Sequence, residues 1–62
     1  MTPQELHAAI DAVRREERLV WWQVAVQADT GEAPLRALKR GSMTAYQPGL
    51  VWLERHTNPS RE

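Results

Sequence analysis

Sixty-two residues, 42% hydrophobic and 26% charged, allow one small domain with a core but little reserve of stability, because so short a chain buries a limited share of its surface. With no cysteine there is no disulfide framework and no zinc-ribbon spacing, and no apolar run approaches the roughly 18 residues of a membrane-spanning helix. Eight basic residues balance eight acidic ones, so the net charge is zero and any nucleic-acid binding must rest on how the cations are distributed. No charged-then-apolar leader precedes a cleavage site, and a soluble cytoplasmic protein, with no membrane partner, is the expectation.

The first helix opens on a capping box. Thr2 caps, Pro3 takes the first turn and Glu5 reaches back to the cap, while Met1 is placed to staple onto Leu6. Leu6, Ile10 and Val13 recur at helical spacing and define one buried face. The run from Arg14 through Arg15, Glu16 and Glu17 to Arg18 reads as a solvated last turn and connection, after which Leu19 plugs the core. His7 and Asp11 fall at i, i+4, but two ligands without a third make a poor metal site, so neither metal nor cofactor is expected.

Residues 21–41 are the stretch around which the chain is organised. They read as two short helices, over about 20–28 and 32–40, joined by a tight turn. Val24, Ala25 and Ala28 supply the apolar face of the first, and Leu35 and Leu38 that of the second. Ala25 is small enough to let two steeply crossing helices approach. Asp29, Thr30 and Gly31 break the pattern with turn-tolerant residues. Pro34 sits in a first turn, where its missing amide has no intrahelical acceptor to lose. Gly41 closes the segment in a position suited to a left-handed residue.

Ser42, Met43 and Thr44 form a loop in which Thr44 is the expected cap and Met43 an anchor dropping into the core. The last helix, over about 45–56, places Tyr46, Leu50 and Leu53 on one stripe, with Pro48 and Gly49 near its start. Val51 and Trp52 lie off that stripe and form the candidate self-association patch. The expected domain covers residues 1–57, followed by a disordered tail over 58–62.

Taken together, Trp21, Gln23, Val24, Ala25, Ala28, Leu35, Leu38 and Gly41 give the 21–41 stretch a recognisable pattern. It resembles the helix-turn-helix of the phage repressor and Cro family. Trp52-Leu53 is similar to the Trp-Leu pair that often closes a related helix there. Two positions depart from the family pattern: Asp29 stands where a turn glycine is usual, and Gly31 where a capping Ser or Thr is usual. Aspartate takes the left-handed conformation at some strain, and glycine starts a helix only slightly less well than serine. The resemblance implies an all-α, lambda-repressor-like domain of four helices, its helix-turn-helix braced by the first and last. It also implies DNA binding in a small transcription regulator such as a repressor, with the second helix of the motif in the major groove.

On that helix Arg36 projects outward beside Leu35 and is the expected base reader, arginine being the commonest partner of guanine O6 and N7. Glu32 could accept from a cytosine amine and Ala33 could touch a thymine methyl, although Glu32 equally suits the helix dipole as a first-turn acid. Trp22, Gln23, Lys39 and Arg40 are the expected phosphate contacts, which position without specifying. Trp21 is expected to pack on the first or last helix, and Trp22 to face solvent. Binding by a single short domain is weak, so a homodimer reading two half-sites of double-stranded DNA is expected. The competing reading is a protein-interaction module on this fold, a phage or toxin–antitoxin accessory factor that docks through Trp22 or Trp52 and has little DNA affinity. An enzyme is not expected, since there is no Cys, Ser42 and Ser60 lack any catalytic motif, and His56 sits at the end of the last helix.

Overall fold

In the computed structural model, which describes residues 1–57, the chain forms α1 (Pro3–Glu17), α2 (Trp21–Gln27), α3 (Glu32–Ala37), a 3-10 turn (Leu38–Arg40) and α4 (Tyr46–Thr57). No strand occurs among the described residues, and none of their helices is long and apolar enough to cross a membrane. The expected tail over 58–62 lies outside the described residues. The second half of the third expected helix tightens into the 3-10 turn, and the other helices begin and end within about two residues of expectation.

The capping box at the start of α1 is complete: the Glu5 amide donates to Thr2 Oγ1 at 3.1 Å and the Thr2 amide to Glu5 Oε1 at 2.9 Å. Met1 is exposed rather than stapled on Leu6. Its carbonyl instead accepts from the Tyr46 hydroxyl at 2.6 Å, which ties the start of the chain to the start of α4.

Three helix ends use the same device. Arg18 (φ 59°), Asp29 (φ 60°) and Gly41 (φ 95°) are left-handed, and each lets the next amide reach back five residues. Leu19 donates to the Arg14 carbonyl at 2.9 Å, Thr30 to Ala25 at 2.9 Å and Ser42 to Ala37 at 3.1 Å. These bonds satisfy carbonyls that a helix end otherwise leaves open. Only Gly41 adopts the conformation without a Cβ penalty.

Leu6 and Ile10 from α1, Val24 and Ala25 from α2, and Leu35 and Leu38 from α3 and its 3-10 extension meet Ala45, Trp52 and Leu53 in one core. α1 packs chiefly on the 3-10 turn and α4, and α2 on α3. The buried side of α4 differs from expectation. Gly49, Trp52 and Leu53 face inward, with buried Ala45 just ahead of the helix, whereas Tyr46 and Leu50 are only partly buried. Gly49 gives the reason: a Cβ there would stand 3.0 Å from Ile10 Cδ1 and 3.5 Å from Leu6 Cδ2, so the side without a side chain is where α4 lies closest to α1. That turn carries Trp52 inside. It is 2% exposed and its Nε1 donates to Gln27 Oε1 at 2.9 Å, so Trp52 is core and not a self-association surface. Of that patch only Val51, 39% exposed, remains at the surface. Met43 is likewise not an anchor, being 59% exposed, and Thr44 and Ser42 hydrogen-bond each other in the loop, their hydroxyls 3.3 Å apart.

Candidate functional site

α2 and α3 are joined through Ala28, Asp29, Thr30 and Gly31. Gly31 is the extended residue that precedes α3 (φ −85°). At the start of α2, Gln23 Oε1 accepts from the Val20 amide at 2.9 Å, so this expected phosphate ligand already caps its own helix. Trp22, one residue into α2, is 58% exposed. Trp21 turns the other way, onto α1, where its ring stacks on His7 with centroids 5.0 Å apart and planes 17° from parallel.

On α3, Ala33 and Arg36 are exposed and Glu32 is half-buried. Glu32 and Arg36 are not independent. The guanidinium Nη2 lies 3.0 Å from Glu32 Oε2, an ion pair along one helix face that solvent keeps weak.

Arg36, Lys39 and Arg40 form one wall of an open groove of about 420 Å³. Its opposite wall is α1, which contributes Arg14 and Arg15 beside His7 and Asp11, with Trp21 completing the lining. Five of the eight Lys and Arg side chains therefore share this groove with one of the eight acids. A chain of zero net charge thus carries a concentrated cationic face.

Arg14 organises the α1 wall. Its Nε and Nη2 donate to Asp11 Oδ1 at 3.1 and 2.7 Å, its Nη1 donates to the Leu19 carbonyl at 2.9 Å, and its guanidinium lies 5.0 Å from the Trp21 ring centroid. The 14–18 run is therefore not uniformly solvated: Arg14 is partly buried and locks the α1–α2 connection, while Arg15 stays exposed and reaches Asp11 Oδ2 at 3.1 Å. Hydrogen bonding from Arg14 is the main cause that holds the Asp11 carboxyl below its ordinary pKa. Desolvation is the main cause that holds His7 below its own, with Lys39 and Arg14 adding to it and Asp11 opposing.

Of the expected contacts, Arg36, Lys39 and Arg40 come together, whereas Trp22 and Gln23 do not line the groove. Sequence reasoning missed the contribution of α1. The signal was present: positions 7, 11, 14 and 15 are i, i+4, i+7 and i+8, one helical face. With Asp11 committed to two arginines, the His7–Asp11 pair is not poised for a metal, and among the described residues no group of three or more His, Asp or Glu is placed to hold one. No protein-family model matches the chain, and no curated protein or solved structure shows significant similarity to it.

Proposed function

We propose that this protein binds double-stranded DNA by a helix-turn-helix formed from α2 and α3, and acts as a small transcriptional regulator in the cytoplasm, on the nucleoid. The observation that carries this reading is the groove in which five of the eight cations gather along α3, its 3-10 extension and α1. In the complex α3 would enter the major groove with Ala33 and Arg36 toward base edges. Arg36 would exchange its solvent-screened pairing with Glu32 for guanine O6 and N7. Lys39, Arg40 and Arg15 would neutralise phosphates, and the exposed Trp22 would donate its indole N–H to another. Two copies would read two half-sites, with Val51 the surviving candidate for self-association.

Fluorescence anisotropy with a labelled mixed-sequence duplex tests this. Three neutralised phosphates weaken binding roughly 40-fold between ~50 and ~200 mM salt, through counterion release. Binding that ignores salt, or no binding at ~50 mM salt, would remove the proposal. One observation favours a protein-docking role instead: Trp22 and Val26, at i, i+4 on α2, are both exposed. A salt-insensitive partner lost on Trp22→Ala would support that reading.

A further inference from the structure

The groove holds a group that the DNA-binding reading leaves unused. His7 stands in the cationic wall, stacked on Trp21, and neither of its ring nitrogens is hydrogen-bonded to another described residue. Because no buried side-chain nitrogen lacks a partner among the described residues, those nitrogens reach solvent in the groove. Asp11, Arg14 and Arg15 share the groove from its own helix, Arg36, Lys39 and Arg40 from α3 and the 3-10 turn, and from α2 only the Trp21 ring. Asp11 is the single anion among them, and it is already divided between Arg14 and Arg15.

Without ligand, a further positive charge at His7 is unwelcome: burial and the neighbouring Lys39 and Arg14 keep the ring neutral to lower pH than usual. An anion seated between the walls reverses that balance. It screens Lys39 and Arg14, and it gives a protonated imidazole an acceptor.

Resting on the DNA-binding reading, we infer that a phosphate of the DNA backbone seats in the groove between α1 and the 3-10 turn and that its binding is coupled to uptake of one proton by His7. Linkage fixes the sign. His7 has a higher pKa in the complex than in the free protein, so affinity rises as pH falls through the interval between the two values and levels off below it. One proton allows at most about tenfold per pH unit. Free protein behaves in the opposite way, because neutral His7 is favoured by folding and acidification destabilises it. A histidine with only a packing role loses stability and affinity together. A proton-coupled ligand loses stability while gaining affinity.

The test is duplex affinity by fluorescence anisotropy at pH 7.5 and 5.5 and constant ionic strength, for the wild-type chain, His7→Gln and His56→Gln. The second histidine packs on Trp52 of α4 and serves as the control. NMR titration of the His7 ring accompanies it, with and without duplex, and with sodium sulfate, whose charge is fixed across this range. We expect affinity to rise about three- to tenfold on acidification in the wild-type chain and His56→Gln and to be flat in His7→Gln. The His7 pKa is expected to rise with duplex and not with sulfate at matched ionic strength. A pH response that survives His7→Gln, or affinity that does not rise on acidification, overturns the proton coupling and leaves DNA binding standing. A sulfate-induced rise equal to that with duplex reassigns the groove to small oxyanions and overturns the backbone assignment. Absence of duplex binding at either pH removes the parent reading and this one with it.

Discussion

Gly31 and Pro34 are matched. A Cβ at Gly31 would stand 3.1 Å from Pro34 Cδ, so the residue before α3 lacks a side chain where the proline ring needs room. Pro34 also has no amide at the third helical position, one of the two donors that a capping Ser or Thr uses. The two departures from an ordinary helix start therefore belong together, and Gly31→Ser should lower stability by about 0.5–1 kcal/mol although serine is the better cap in general. In a Pro34→Ala background the same change should be neutral or stabilising. A double-mutant cycle by urea unfolding should return a coupling of about 1 kcal/mol; additivity would show that the contact does not matter.

The left-handed helix ends at Arg18 and Asp29 carry a Cβ penalty that Gly41 avoids. Arg18→Gly should raise stability by about 1 kcal/mol, and Asp29→Gly by less, because aspartate tolerates this region better than arginine. Thermal unfolding of the two single variants reads the order directly.

Gly49→Ala should destabilise by about 1–3 kcal/mol despite alanine's higher helix propensity, because the new methyl meets Ile10 Cδ1 at 3.0 Å. Ile10→Val deletes that atom. In its background Gly49→Ala should cost markedly less, which separates a steric cause from any other.

Acid should destabilise the free protein in two steps. His7 has a folded pKa below the ordinary 6.5, so its contribution is full above that value and is lost as pH falls through the folded pKa. Asp11 has a folded pKa below the ordinary 3.8, and its contribution, present above 3.8, is lost as pH falls through its own folded value. Unfolding free energies measured from pH 8 to 2 should lose the upper step in His7→Gln and the lower step in Asp11→Asn.

Lys39→Ala should weaken duplex binding uniformly across sequences and reduce the salt slope by about 1. Arg36→Ala should cost about 1–3 kcal/mol on the preferred site and relax discrimination at one base pair. Both are exposed, so circular dichroism should find the fold intact.

Local chemistry was legible in the residues. The Thr2–Glu5 box, the left-handed ends at Asp29 and Gly41, the start of α3 at Gly31 and the outward Trp22 and Arg36 follow from cap, turn and spacing rules that act over four or five residues. Two features were not legible. Residues 50–53 of α4 are all apolar, so periodicity alone does not select its inner side. The choice of Trp52 over Tyr46 and Leu50 depends on Gly49 meeting Ile10, thirty-nine positions away in sequence. Nor does local spacing say which of its neighbours the polar face of α1 will meet. Only the packing of α1 on the 3-10 turn sets Arg14 and Arg15 opposite Lys39 and Arg40, and so turns a chain of zero net charge into one with a cationic groove. Helix signals are short-range; the meeting of two helix faces is decided by which side chains are missing between them.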